Sequence, residues 1–374
     1  MEPIRILQVV TIMNRGGLET MLMNYYRQMD RTKIQFDFMV HRNEEGHYDD
    51  EILKLGGNIY RMPQIRPGNY KRYFRLLDEF FSSHFEYKVV HSHINENSSF
   101  VLRAANKANV PCRIAHSHLS DLAIDIKLPF RIYARNVMKN HPTDYFSCSQ
   151  KAGEWLFGKE ISNSTRHLVL NNAVNVNEFK FNQSARNQIR KKLKIDDKLV
   201  IGHIGRFNKQ KNHDFLIDIF KAVHEQQTNA VLVLVGEGHL RPSIEKKASE
   251  LGITDQVLFL GVREDISTIM HGFDLFLFPS LFEGLPVVLV EAQAAGLKCI
   301  VSDSITSESD VTERIEFVSL NKSPKFWAQV ILTSTYDHKD TSEKLRKNGY
   351  DTVTMADWLY GFYSGQIQLT KQAN

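Results

Sequence analysis

Four short apolar runs, "AVLVLVGEG", "QVLFLGV", "DLFLFPS" and "KCIVSD", recur between residues 230 and 303, with amphipathic stretches between them. The segments "VLVLV" and "LFLF" carry no polar residue at alternate positions. A strand with one wet face alternates apolar and polar residues. Unbroken apolar strands are buried on both faces, as in a parallel sheet covered by helices. The pattern opens with "KLVIGHIGRF", a strand running into a glycine loop, followed by the helical "NHDFLIDIFKAVHEQ".

The same alternation fills the first half. Its strand candidates are "IRILQVV", "IQFDFMV", "GNIYRM", "YKVVHSH", "CRIAHSH", "DYFSCS" and "RHLVLNN". Helical patterns lie at 18–29, 70–84, 97–108 and 128–139. A chain of 374 residues exceeds one ordinary core. The expected fold is therefore α/β, with two doubly wound Rossmann-like domains facing a cleft. The polar segment "NQSARNQIRKKLKIDD" (182–197) reads as a link plus a surface helix. That places one domain at 1–181 and the other at 182–349. Tyr350, Met355, Trp358, Leu359, Phe362 and Tyr363 share roughly helical spacing, so the tail 350–374 is expected to pack back on the first domain.

Composition narrows the function classes. No run of 18 apolar residues is present, the start "MEPIRILQVV" enters a strand without signal-peptide architecture, and three scattered cysteines suit neither a disulfide framework nor a zinc site. These features point to a cytoplasmic protein. Residues 1–185 hold 24 basic against 19 acidic residues and nine of the 15 histidines. That excess suits an anionic acceptor or a membrane surface; scattered solvated charge is the alternative. Nucleic acid is not expected as a partner, because no dense basic run with interleaved aromatics occurs.

Two motifs carry the sharpest chemistry. In "GHIGRFNKQKNHDF", Arg206 and Lys211 follow a strand and precede a helix, and Gly202 and Gly205 would let backbone approach a ligand. Two cations beside a helix N-terminus can clamp a diphosphate, although basic surface loops are common. In "PSLFEGLPVVLVEAQAAGL", Pro286 suits the first helical position and Gly296 the stop. Free N–H groups near 284–288 would hold an anion. Glu291, about one and a half turns in, could accept both hydroxyls of a ribose. Glu283 could accept hydroxyls of a second sugar. The competing reading of Glu291 is a solvent-facing helical glutamate.

The first half is less sharp. "TIMNRGGLETMLMNYYRQM" is a strand-to-helix turn with Gly16 and Gly17, outside the dinucleotide fingerprint. A plain tight turn is the alternative. His91 and His93 close one strand, and His116 and His118 another; each pair faces one side. Strand-end histidines commonly line a cleft, and no carboxylate third ligand argues for a metal. Lys127, Arg131, Arg135 and Lys139 form a helical basic stripe, for anionic headgroups or simply for solvent.

Together, "GRFNKQKN" and, some 70 residues on, "PSLFEGLPVVLVEAQAAG" resemble the family-4 retaining glycosyltransferases of GT-B fold. "VLNNAVNVNEF" and "LVGEGHLRPSIEKKASELGITDQVLFLGV" extend the likeness, closest to enzymes that build bacterial exopolysaccharide or capsule. The resemblance implies transfer of a hexose or N-acetylhexosamine from a nucleotide diphosphate sugar, with uridine the expected base. The acceptor would be a glycan or lipid-linked saccharide, the anomeric bond would be retained, and neither cofactor nor metal would be needed. By resemblance, Arg206 and Lys211 hold the diphosphate, Glu291 the ribose and Glu283 the transferred sugar. Backbone near Gly284 and Leu285 reaches phosphate or sugar, and main chain around Val262 holds the base. The Gly16-Gly17 loop lies against the donor phosphates. His118, or else His116, contacts the donor sugar, and His93, Asn95 and Glu96 face the acceptor. Where the family often has Glu-Gly-Phe-Gly, this chain has Glu-Gly-Leu-Pro, and Pro286 lacks one donor. "LNNAV" departs from Pro-Asn-Gly-Val, so Asn171 and Asn172 carry little weight. Rival expectations are a GT-B epimerase and a silent nucleotide-sugar-binding scaffold. Peripheral membrane association is the expectation tied to the basic stripe.

Overall fold

The computed structural model describes residues 2–66, 68–118 and 128–373. The chain forms two compact units, Met1–Ala173 with Thr352–Asn374, and Val174–Asp351.

The first unit contains β1 (Ile4–Val10), β2 (Ile34–Val40), β3 (Ile59–Arg61), β4 (Val89–Ser92), β5 (Cys112–Ser117), β6 (Asp144–Ser147) and β7 (His167–Val169). They make one parallel sheet in the order β3-β2-β1-β4-β5-β6-β7. The order reverses beside β1, which places the topological switch between β1 and β4. Leu7 pairs with Val90, and both are fully buried with Leu77, Val101 and Ala115. The last helix, Thr352–Ala373, belongs to this unit. Its Tyr363 is fully buried, edge-on to Phe36 at 6.3 Å, and Phe362 meets Phe146 at 5.1 Å. Those aromatics turn the helix into a lid on the core.

The second unit contains β8 (Leu199–Ile204), β9 (Ala230–Val235), β10 (Val257–Phe259), β11 (Leu275–Phe278), β12 (Lys298–Ser302) and β13 (Ile315–Val318). Its parallel order, β10-β9-β8-β11-β12-β13, repeats the first unit's winding. Every residue of β9 and β11 is buried, which is why neither strand alternates.

Two expectations need correction. The helix expected within 182–197 is present, but the segment does not link the two units. Asn182 caps a helix at Gln183–Leu193 by accepting from Ala185 N at 2.9 Å, and Lys194 closes it in the left-handed region. Arg186 and Arg190 from that helix both bind Asp274 ahead of β11, and Arg190 Nε donates to Asp196 O at 3.2 Å. The division falls at Ala173 rather than residue 181. Val174 N donates to Tyr350 O at 3.0 Å and Val176 N to Asp351 Oδ1 at 3.4 Å, which ties 174–181 to the second unit.

Candidate functional site

In the second unit, the loops after β8 and β11 are fastened together. Leu281 N donates to Gln210 O at 2.8 Å, and Asn212 Nδ2 to Pro279 O at 3.0 Å. Gln210 Nε2 donates to Phe282 O at 3.0 Å and to Glu283 Oε2 at 3.2 Å. Asn212 adopts φ 56°, and Asn208 Oδ1 accepts from Lys211 N at 3.1 Å, so the loop holds Lys211 in place. Lys211 Nζ then lies 2.6 Å from Glu283 Oε1 and 4.6 Å from the Phe278 ring centroid. Arg206 is exposed, and its guanidinium has no partner among the described residues. Two of the predicted groups, Lys211 and Glu283, are thus in contact, and Arg206 opens the same loop.

The glycines divide by role. A Cβ on Gly202 would fall 2.1 Å from the Phe273 ring, so Gly202 packs the core and does not admit a ligand. Gly236, at φ +134°, would place a Cβ 2.2 Å from Gly205 O; that pair lets two strand-end loops touch. Val262 is 47% exposed beside Gly261, whose carbonyl accepts from Gly236 N at 2.8 Å. Val262 thus lies at the surface three residues past the end of β10.

The acidic loop runs into a helix at Val287–Ala294. Pro286 is extended (φ −73°, ψ 125°) and caps this helix from outside rather than opening it. Gly284 lies in the loop, and Leu285 is buried beneath it. Glu291 is only 8% exposed, which excludes the solvent-facing reading. Its carboxylate has no hydrogen-bond partner among the described residues. Burial, helped by the negative charge of Glu178, pushes its pKa up to about 8. Gln293, two residues on, is fully buried but fully served. Its Nε2 donates to Leu289 O and Ser309 O at 3.1 and 2.8 Å. Its Oε1 accepts from Val311 N, Thr312 N and Thr312 Oγ1 at 3.0, 3.1 and 2.9 Å. The fold supplies partners for one buried polar side chain and leaves the other open.

In the first unit the four histidines form a two-by-two array at the ends of β4 and β5. His91 stacks on His93 with centroids 4.2 Å apart, and His116 on His118 at 4.0 Å. Hydrogen bonds cross between the stacks: His91 Nε2 to His116 Nδ1 at 3.0 Å, and His93 Nδ1 to His118 Nε2 at 2.9 Å. Burial drives His91, His93 and His116 well below the ordinary histidine range and His118 to about 3, so all are neutral at pH 7. Nitrogens of His91, His93 and His116 lie within 4.8 Å of one another. Face-to-face rings cannot aim in-plane lone pairs at one point, and the array spends its nitrogens on each other instead.

Other first-unit expectations fare unevenly. Asn95, at φ 47°, turns its Oδ1 to His118 N at 3.1 Å; it supports His118. Glu96 is buried and 3.6 Å from Arg131, so it does not stand open to an acceptor. Arg131 and Arg135 turn inward, Arg135 donating to Leu156 O at 3.1 Å, while Ile132 and Tyr133 are exposed. The basic stripe is therefore broken; Lys127 lies outside the described residues. Gly16 caps the helix Gly17–Gln28, and a Cβ there would meet the Glu19 carboxylate at 2.3 Å, whereas one on Gly17 would meet open space. Asn171 accepts through its carbonyl from Tyr25 Oη at 2.6 Å, and Asn172 is buried.

Residues 185–352 match the family model described as "Glycosyl transferases group 1". A Bacillus subtilis (strain 168) protein named as a glycosyltransferase, EpsF, is 36% identical over 370 residues, 96% of each chain. This chain belongs to the group 1 glycosyltransferases. The capsular polysaccharide biosynthesis glycosyltransferase CapH of Staphylococcus aureus is 27% identical over 88% of this chain and 90% of its own. Among solved structures, Anabaena HepE in complex with UDP-glucose superposes with a TM-score of 0.79 at 18% identity, over 96% of this chain and 99% of that one. The architecture of two parallel-sheet units is that of GT-B enzymes.

For this glycosyltransferase, sequence reasoning missed Gln8 and Gln210 and the hydrogen-bonding role of Tyr363. His93 Nε2 meets Gln8 Oε1 at 2.8 Å, and His91 Nδ1 meets Tyr363 Oη at 2.7 Å. The available signal for Gln8 was a lone amide inside the apolar strand "IRILQVV". No helix among the described residues is long and apolar enough to cross a membrane.

Proposed function

We propose that this glycosyltransferase moves a hexose or N-acetylhexosamine from a UDP-sugar to a glycan or lipid-linked saccharide, in exopolysaccharide or capsule synthesis, with retention at the anomeric carbon. One observation carries the reading. A buried carboxylate without partners, Glu291, sits in the helix entered from the loop that holds Lys211. A ribose diol would give that carboxylate the two donors it lacks. Main chain at Val262 would hold the base, and Arg206 and Lys211 the diphosphate, with backbone at Gly284 and Leu285 adding donors. The name of CapH and the UDP-glucose bound to HepE support a polysaccharide product and a uridine donor.

Transfer breaks the bond between C1 and the phosphate oxygen and forms one from C1 to the acceptor oxygen on the same face. The acceptor proton passes to the departing diphosphate. Negative charge grows on that diphosphate, where the cations of Arg206 and Lys211 stabilise it most. Those fixed charges make a metal unnecessary to the reaction. Glu283 neutralises Lys211 in the free protein; the diphosphate competes for the cation and leaves Glu283 to accept sugar hydroxyls. His118, neutral, accepts a hydrogen bond from a substrate hydroxyl. Peripheral membrane contact would rest on Lys139 with exposed Ile132 and Tyr133.

The test is a panel of UDP-, GDP- and ADP-sugars offered with lipid-linked acceptors, in chelator and without. Release of UDP, unchanged by chelator, with an α-linked product from an α-donor, is expected. Epimerised donor without nucleotide release, or binding without turnover, overturns the transferase reading.

A further inference from the structure

The four neutral histidines each have one N–H and one bare nitrogen, and the structure decides which is which. Gln8 is the fixed point, because an amide has one accepting and one donating end. Its Oε1 faces His93 Nε2 at 2.8 Å, so that nitrogen carries the proton. His93 Nδ1 is then bare and must accept, so His118 Nε2 is the N–H at 2.9 Å. His118 Nδ1 is left bare, with no partner among the described residues. The other end of the amide donates to Tyr363 Oη at 3.4 Å. Tyr363 therefore donates to His91 Nδ1 at 2.7 Å, and His91 Nε2–H donates to His116 Nδ1 at 3.0 Å. This arm ends at His116 Nε2, which is buried and unpaired among the described residues. Gln8, His91, His93 and His116 are at most 1% exposed, so water does not interrupt either arm.

We infer that Gln8 sets the tautomer of all four histidines, so that His118 meets substrate as a hydrogen-bond acceptor through Nδ1. Rotating the amide by half a turn would reverse every link. His118 would then carry its proton on Nδ1 and become a donor, unable to accept the hydroxyl hydrogen assigned to it. Gln8 and His93 are positioning residues; they act on substrate only through His118. The tautomer assignment rests on the orientation of the Gln8 amide, Oε1 towards His93 and Nε2 towards Tyr363, whereas its consequence for transfer rests on the role proposed for His118.

Long-range proton–nitrogen NMR of the full chain, labelled with ¹⁵N at histidine, reads each tautomer without substrate. The wild type is expected to show His91, His93, His116 and His118 all protonated on Nε2. A proton on Nδ1 of His93 or His118 overturns the inference. Gln8→Leu removes the fixed point, and the His118 nitrogens should move to averaged positions. UDP affinity should hold while sugar transfer falls. Tyr363→Phe cuts only the other arm, so His93 and His118 should keep the Nε2 proton; a shift there sinks the two-arm scheme. If tautomers behave as stated while His118→Ala transfers sugar normally, the relay survives and the role of His118 in transfer fails instead.

Discussion

Both units bury polar side chains near the carboxyl ends of parallel strands, yet they complete them differently. The first unit closes its histidines on one another, with Gln8 and Tyr363 as end pieces. The second leaves Glu291 without a partner among the described residues. A site satisfied from within is organised before substrate arrives. A site left open is completed by its ligand, and the free protein carries the cost.

The two designs respond differently to pH above 6.5, and this is the largest expected effect. The histidines of the first unit are held below their ordinary value of 6.5. The unfolded chain then binds protons that the folded unit does not, so stability falls as pH drops below 6.5. Each buried histidine costs up to about 1.4 kcal/mol per pH unit. Glu291 is held above its ordinary value of 4.5, at about 8. Its unfolded form ionises first, so Glu291 alone makes the second unit less stable as pH rises from 4.5 towards 8; below 6.5 that unit's own buried His203 and His213 oppose the trend, and it emerges above 6.5. Amide exchange reads β4–β5 and β11–β12 separately. A falling slope in the first unit above pH 6.5, or none in the second, would break the contrast.

Next in size is Lys211→Ala. Removing a cation aimed at the leaving diphosphate should cost about 10²- to 10³-fold in turnover. Circular dichroism should show the fold intact, because the ion pair lost is to a loop glutamate and the Phe278 ring beneath stays packed in β11. Near-normal UDP release would remove the diphosphate clamp.

A paired substitution on one helix follows. Glu291→Leu replaces an unpaired buried carboxylate with a side chain of similar size. It should stabilise the protein by about 3 kcal/mol at pH 7 and abolish measurable UDP binding. Gln293→Leu, two residues away, strands Thr312 N and takes one partner each from Val311 N, Thr312 Oγ1 and Ser309 O, and should destabilise by about 3 kcal/mol. Urea unfolding of both variants decides it. Loss of stability in both would mean that Glu291 serves the fold.

This pair also marks what sequence could reveal. The unbroken "VLVLV" and "LFLF" fixed a doubly covered parallel sheet, because burial on two faces leaves no room for polar alternation. Glu283 and Glu291 were legible as a spaced pair in a single segment. Gly202 was misread, since the Phe273 ring that fills its Cβ position arrives only through folding. The helix within 182–197 was legible, but its place inside the second unit was not, because its contact, Asp274, is 84 residues beyond Arg190. Gln8 and Tyr363 are 355 positions apart, so no local pattern could pair them.

The smallest expected effect probes how closed the first unit is. Tyr363→Phe deletes one hydroxyl from an arm of neutral groups. The ring still fills the core beside Phe36, so no cavity opens. What is lost is one hydrogen bond to His91 and one from Gln8, about 1 kcal/mol in thermal or urea unfolding. The acid slope should keep its sign, because burial and not the hydroxyl keeps His91 neutral. A loss several times larger would show that the arm behaves as one cooperative unit, with each bond strengthened by the next. The first unit would then be more tightly organised than its pairwise bonds imply, and its contrast with the open carboxylate of the second unit would widen.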